Sequence, residues 1–215
     1  MANDLRIDVF DPAARCEPAL YESRANVLKR AFAAGGAIFA GGVLVAGLPR
    51  SAESAPSPAQ DAEILNLALL LEHMEADFFT EASVSAKLTG ELLEFTDIVR
   101  GHERAHVAFL RDALGRKARK RPTFDFGDAT QSPASFTAAA VALQDLMVAA
   151  YNGQAANLTK GALESAAKIV SVEARHAGWI RAIAERNPAP EPTDTPRTAA
   201  QVTAAVNKTT FLKSD

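Results

Sequence analysis

The stretches ERAH at residues 103–106 and EARH at residues 173–176 each place a glutamate and a histidine three residues apart. On a helix, residues i and i+3 lie on one face, so the two side chains of each pair point the same way. A carboxylate with a neutral imidazole is a ligand pair suited to iron, manganese or zinc. One pair alone is weak evidence. Two pairs about 70 residues apart, each in a long amphipathic segment, predict one shared metal site.

The composition indicates one all-α domain. The chain has 215 residues, of which 48% are hydrophobic, and this is enough for a substantial core. Alanine-rich runs dominate, and the alternation of β-branched residues typical of strands is scarce. The net charge of −3 gives no global positive field, so nucleic acid is not expected as a partner. The single cysteine, Cys16, excludes a cysteine-based metal site.

An uncharged apolar run at residues 31–48 follows a polar segment with a positive flank. This pattern predicts that residues 1–55 are an export signal or a membrane anchor, and that the protein is periplasmic, bound to the cell envelope or secreted. The flank resembles a twin-arginine signal, except that Ala25 replaces the second arginine and Val27 replaces the phenylalanine. Twin-arginine export, general secretion and an uncleaved tether through residues 31–48 are therefore all left open.

Four amphipathic segments follow and are predicted to be helices, because apolar residues recur every three to four positions. They cover residues 61–85, 89–114, 133 to beyond 151, and 159–186. The basic run RKARKR at residues 116–121 opens a connection of about 17 residues and is predicted to be a solvated loop. Gly153 is predicted to end or bend the third helix. The predicted domain boundaries are 1–55 for the signal or anchor, 56–186 for the bundle and 187–215 for a proline-rich tail with a short helix.

Matching polar positions in the two halves indicate an internal repeat. In the first half, Glu72 is followed by Phe79 after seven residues and by ERAH after 31. In the second half, Gln144 is followed by Tyr151 after seven residues and by EARH after 29. The repeat predicts an approximate two-fold arrangement of two helix pairs around one centre. Buried carboxylates are costly unless they are paired or bound to a cation, and a metal supplies that partner most simply.

These stretches resemble the ferritin-like superfamily, and more closely the exported ferritin-like domain proteins related to desiccation-associated proteins. The similar sequences are LEHMEADFFTEA, HERAHVAFL, LQDLMVAAYNG and VEARHAGWIR, at residues 71–82, 102–110, 143–153 and 172–181. The resemblance implies a ferritin-like antiparallel four-helix bundle with a long crossover between helices 2 and 3. It also implies a dinuclear site, with one glutamate from each of two helices and a Glu-x-x-His pair from each of the other two.

The resemblance assigns a role to each matching position. Glu72 is a terminal ligand, the two bridging carboxylates are Glu103 and Glu173, and the imidazole ligands are His106 and His176. The cofactor implied is iron, in a di-iron or mononuclear site, or manganese.

Two positions depart from the family pattern. Gln144 stands where the third-helix ligand is usually a glutamate, and Phe79 stands where a tyrosine is often found. Because a neutral amide is a poorer ligand for a hard divalent cation, the second metal position is predicted to be weaker. Glu75 is predicted to be an outer contact of the ligand set. Tyr151 is predicted to be a core aromatic, with a hydrogen bond to a ligand or a redox role as the alternatives.

Other readings of the same residues are left open. A buried network with Arg104 or Arg175 is the alternative to a metal at each Glu-x-x-His pair. His102 and His73 are predicted to be surface residues, with an outer contact to the metal ligands as the alternative for each.

The leading hypothesis is an exported protein that binds iron or manganese, with Fe(II) oxidation or peroxide disposal as its redox chemistry. The alternative is a structural, stress-related protein whose metal site has decayed. The sequence decides neither whether the protein is an enzyme nor whether it forms a homodimer.

Overall fold

The computed structural model of the chain describes residues 55–213, which fold into five α-helices. They are α1 (Pro58–Ser85), α2 (Gly90–Leu114), α3 (Pro133–Gln154), α4 (Lys160–Ile183) and α5 (Ala199–Thr209). Between residues 55 and 213 there is no strand, so the predicted all-α class is confirmed. The predicted export signal or anchor, with its tether at residues 31–48, lies outside the described residues apart from Ala55.

Local chemistry determines where the helices begin and end. Ser57 caps α1 and Ser132 caps α3, and each side chain accepts a hydrogen bond from a backbone N–H three residues on. A proline in the first turn follows each cap, which is why α1 begins three residues earlier than predicted. Gly115 ends α2 with a φ of 53°, a conformation that favours glycine. At the other end of the bundle α4 stops at Ile183, three residues before the predicted boundary.

The four long helices pack as two hairpins. Residues 86–89 join α1 to α2, and residues 155–159 join α3 to α4. Connections this short make the two helices of each hairpin antiparallel neighbours. Across the hairpins, α1 contacts α3 and α2 contacts α4. In this arrangement, the polar residues on the inner face of each of the four helices point toward the middle of the bundle.

The segment Pro133–Asn157 is long and apolar enough, by composition alone, to cross a membrane. In the structure, 61% of its most apolar window is buried inside the bundle. Burial of this kind is what a core helix shows. The segment also carries the fully buried polar residue Gln144.

A cluster of phenylalanines closes one end of the bundle. Phe78 of α1 is completely buried, and its ring stacks on Phe136 of α3 with 5.3 Å between centroids. Phe126, from the connection between α2 and α3, meets Phe78 edge-on at 5.4 Å. Phe211, which follows α5, stacks on Phe78 at 6.4 Å. The cluster therefore joins α1, α3, the connection and the C-terminal segment.

The connection between α2 and α3 lies along α1. In its basic run, Arg119 pairs with Glu63 and Arg121 pairs with Asp77. All residues of the run are exposed except Ala118, which is half-buried. These ion pairs hold the connection against one face of α1.

The C-terminal tail binds back onto the bundle through its main chain. The backbone N–H of Arg197 donates to the carbonyl of Ala149 on α3, at 2.9 Å. Gly153 lies one turn further along α3, and a Cβ placed there would sit 1.8 Å from the carbonyl oxygen of Arg197. The helix ends at Gln154, one residue past Gly153, and the lack of a side chain at Gly153 permits the close approach of the tail.

Replacing Gly153 with alanine should push the tail away from α3. We expect a loss of about 1–3 kcal/mol in the free energy of unfolding, as for other overpacked sites, measured by urea denaturation. Limited proteolysis should also cleave the tail faster. Gly161→Ala is the control, because a Cβ there meets no atom of the described residues within 4 Å. Equal unfolding curves for both variants would contradict the assigned contact.

Candidate metal centre

Three carboxylates and one imidazole converge at the middle of the bundle. Ligand atoms of Glu72, Glu103, His106 and Glu173 all lie within 4.8 Å of one another. The three glutamates are fully buried, and the side chain of His106 is 12% exposed. The i, i+3 spacing on α2 brings Glu103 and His106 to the same face, while α1 and α4 supply the other two residues.

Glu103 and Glu173 each face both histidines. Oε2 of Glu103 lies 3.4 Å from Nδ1 of His106, and its Oε1 lies 3.2 Å from Nδ1 of His176. Oε1 of Glu173 lies 2.9 Å from Nδ1 of His106, and its Oε2 lies 3.4 Å from Nδ1 of His176. Each carboxylate thus directs one oxygen to each imidazole, as a ligand that bridges two metal positions would.

The glutamate oxygens and histidine nitrogens of the centre lie close together but do not form hydrogen bonds of good geometry with one another. Nδ1 of His106 approaches oxygens of three glutamates, and one N–H cannot serve three acceptors. Both oxygens of Glu103 and of Glu173, and Nδ1 of both histidines, are buried and lack a hydrogen bond within residues 55–213. Because buried polar groups are normally partnered, this donor set fits a bound cation.

Opposing effects of burial and charge set the protonation of the site. Burial alone lowers the pKa of His106, but the surrounding carboxylates outweigh it and raise this pKa to about 12. The same competition raises the pKa of His176 to about 9. For Glu103, burial raises the pKa, but the two imidazoles outweigh it and lower the value to about 2. Without a cation, protons therefore supply the positive charge of the site.

Tyr151 of α3 contacts the predicted terminal ligand. Its hydroxyl donates to Oε1 of Glu72 at 2.6 Å, while Oε2 of Glu72 lies 3.3 Å from Nδ1 of His106. Burial and the negative charge of Glu72 raise the pKa of Tyr151 well above its ordinary value, so the phenol remains a donor. Phe79, at the related position of the repeat, has no hydroxyl and packs edge-on against Phe95.

Removing the Tyr151 hydroxyl should weaken metal binding. In Tyr151→Phe, Glu72 loses the donor that orients it, and we expect about 10- to 100-fold lower affinity for Mn(II) by calorimetry. Thr96→Val is the control, since it removes a buried hydroxyl whose one hydrogen bond within residues 55–213 goes to the carbonyl of Leu92 on α2. Equal affinities in the two variants would mean that the Tyr151 hydrogen bond does not orient Glu72.

Gln144 and Glu75 form a second buried polar pair beside the site. Both side chains are fully buried, and the amide nitrogen of Gln144 donates to Oε2 of Glu75. Oε1 of each residue has no hydrogen-bond partner within residues 55–213. Burial, followed by the charges of Glu103 and Glu173, raises the pKa of Glu75 well above its ordinary value. The roles predicted for Gln144 and Glu75 stay predictions.

His102 is exposed, as predicted, but it also contacts the site. Its Nδ1 lies 2.8 Å from Nε2 of His176, and the two rings stack at 5.1 Å. Nδ1 of His176 faces the carboxylates and its Nε2 faces His102, so this contact holds the imidazole ring of His176 in its orientation at the site. The spacing of four residues between His102 and His106 places both on one side of α2. In the sequence, this spacing could have indicated that His102 lies near the site.

Two other expectations are corrected. His73, predicted at the surface, is 6% exposed, because the connection between α2 and α3 covers that face of α1 near Arg121. Arg104 and Arg175 are exposed, and neither pairs with a site glutamate in the described part of the chain. The alternative in which these arginines neutralise the buried carboxylates is therefore wrong.

Together, the fold and these side chains define a helical bundle with a carboxylate–histidine centre between its two hairpins. A sequence model of the ferritin-like domain family matches residues 60–186, which contain α2, α3, α4, all of α1 except its first two residues, and every residue of the centre. The chain therefore belongs to the ferritin-like domain family, and the predicted superfamily is confirmed. A comparison with curated proteins gave no match.

Proposed function

We propose that the protein binds iron or manganese at the carboxylate–histidine centre and functions outside the cytoplasm. The observation that carries the proposal is a set of buried ligand atoms that make no hydrogen bond among the described residues, namely both oxygens of Glu103 and Glu173 and Nδ1 of His106 and His176. In the described residues, no lysine or arginine pairs with them. A bound cation would compensate the buried negative charges of the glutamates.

The residues of the centre would have two different ligand roles. Glu72, His106 and His176 would bind at the ends of the site, and Glu103 and Glu173 would bridge its two sides. A bound iron or manganese ion supplies one-electron redox chemistry, which suits Fe(II) oxidation or peroxide disposal.

Outside the ligand set, two side chains would support the site. Tyr151 would hold Glu72 in its ligating orientation through the hydroxyl contact of 2.6 Å. His102 is exposed and hydrogen-bonded to His176, so it would both orient that ligand and exchange protons with solvent.

Anaerobic titration of the metal-free protein with Fe(II), and separately with Mn(II), tests the proposal. We expect at least one tightly bound ion per chain by calorimetry and elemental analysis. Adding oxygen or peroxide to the Fe(II) form should then consume the oxidant in proportion to the iron. Metal at background level would overturn the proposal.

A second candidate is a structural protein with a decayed site, and the neutral side chain of Gln144 favours it. The two candidates differ in thermal stability. A cation present at 100 times its Kd stabilises the folded state by about 2.7 kcal/mol, so metal should raise the Tm by about 5–10 °C in a domain of this size. An unchanged Tm on metal removal would support the structural protein.

Metal affinity should rise with pH. In the metal-free protein the pKa of His106 is about 12 and that of His176 about 9, so both imidazoles are protonated near neutral pH. Each proton must leave before the nitrogen can bind, so affinity should rise about tenfold per pH unit for each proton released. Mn(II) titrations at pH 6, 7 and 8 measure this slope. An affinity independent of pH would contradict the protonation assigned to the empty site.

Export is supported by the apolar run at residues 31–48 and the positive flank before it. Mass spectrometry of the mature N-terminus from the native host tests it. A start near residue 55 would support a cleaved signal, and an intact N-terminus in the membrane fraction would support an anchor. An intact N-terminus in the cytosolic fraction would overturn export.

A further inference from the structure

The two sides of the centre have unequal ligand sets. The His106 side has one oxygen from each bridging carboxylate and, in addition, Oε2 of Glu72 at 3.3 Å from Nδ1. The His176 side has one oxygen from Glu103 and one from Glu173. Among the residues that the structure describes, no third carboxylate contacts His176. The His176 side therefore lacks a terminal carboxylate.

The internal repeat shows where that carboxylate would have come from. Gln144 on α3 occupies the position related to Glu72 on α1, and it is neutral. Its side chain is fully buried, and its amide nitrogen is used in the hydrogen bond to Glu75. The amide oxygen of Gln144 remains without a partner.

Glu75 is the one further carboxylate buried beside the centre within residues 55–213. It is fully buried and pairs with no lysine or arginine in that range. The hydrogen bond from Gln144 occupies Oε2 and leaves Oε1 without a partner. Glu75 is thus a buried carboxylate with one oxygen that makes no hydrogen bond in this range, and it is hydrogen-bonded to Gln144, the residue that stands where the third-helix ligand is missing. Such a carboxylate can serve in place of the missing ligand.

Charge balance supports the same assignment. With Glu75, the centre holds four carboxylates from Glu72, Glu75, Glu103 and Glu173, which match the charge of two divalent cations. We propose that Glu75 supplies the carboxylate that Gln144 lacks, so that the centre binds a second divalent cation on its His176 side. This inference rests on the proposed function. In the fold, it means that α1 provides terminal carboxylates for both positions.

Mn(II) titration of the full metal-free chain tests this assignment, with stoichiometry from calorimetry and elemental analysis. We expect two ions in the wild type, and in Glu75→Gln one ion, or a second bound at least tenfold more weakly. Returning the carboxylate to α3 in the double variant Glu75→Gln, Gln144→Glu should restore the second ion. Glu63→Gln, which removes an exposed carboxylate of α1, is the matched control and should behave like the wild type.

Electron paramagnetic resonance adds a second readout, since two adjacent Mn(II) ions give an exchange-coupled spectrum that Glu75→Gln should lose. Melting of each metal-free variant checks that it is folded, and Glu75→Met replaces Glu75→Gln if the latter unfolds. Two ions of unchanged affinity in the Glu75 variant, or one ion in the wild type, would overturn this inference alone. Failure of the wild type to bind any metal would overturn the proposed function with it.

Discussion

Replacing Glu103 with alanine should abolish metal binding on both sides of the centre. This carboxylate directs Oε2 to His106 at 3.4 Å and Oε1 to His176 at 3.2 Å, so its loss would remove a proposed ligand from each of the two positions. We expect at least about a hundredfold lower affinity for Mn(II), since the loss of a direct ligand should exceed the 10- to 100-fold cost of losing an outer contact. The metal-dependent rise in Tm should disappear as well.

The fold should survive this change, because Glu72 and Glu173 remain to balance the imidazoles of the empty site. Circular dichroism of the metal-free variant checks this expectation. Arg104→Ala is the matched control, since Arg104 is the next residue on α2 and is exposed. Wild-type affinity in Glu103→Ala would mean that the cation binds somewhere other than the centre.

Phe78→Ala should produce the largest loss of stability. The ring is completely buried and contacts the rings of Phe79, Phe126, Phe136 and Phe211. Truncating a buried phenylalanine costs about 3–5 kcal/mol, a large part of the 5–15 kcal/mol by which a typical domain is stable. Urea denaturation measures the loss.

Phe109→Ala provides the comparison for this prediction, because Phe109 is 37% exposed on α2. We expect its unfolding free energy to change by less than about 1 kcal/mol. The C-terminal segment should also become more susceptible to protease in Phe78→Ala, since Phe211 loses its stacking partner. Similar losses of unfolding free energy in both variants would contradict the stabilising role of the buried cluster, and unchanged protease susceptibility would contradict the contact between Phe78 and the tail.

The helices and the converging glutamates were predictable because they follow from local periodicity. Apolar residues at helical spacing mark the face of each helix that turns inward, and the i, i+3 spacing places His106 beside Glu103. Both statements depend only on helix geometry. The internal repeat added that two helix pairs share a centre.

Contacts between distant segments were not predictable in the same way. The burial of His73 depends on where the connection between α2 and α3 lies over α1, and periodicity carries no information about a loop's path. The hydrogen bond from Gln144 to Glu75 depends on how far α1 and α3 are shifted relative to each other along their axes. Likewise, periodicity gives no information about the close approach of the Arg197 backbone to Gly153.

The unequal sharing of carboxylates between the hairpins has a mechanical consequence. Of the buried carboxylates in the described part of the chain, the first hairpin holds Glu72, Glu75 and Glu103, and the second holds Glu173. Two copies of the first hairpin would bring six negative charges together, and two copies of the second would bring two. The two hairpins are therefore not interchangeable in charge. A cation bound between them would stabilise the interface at which the two hairpins pack.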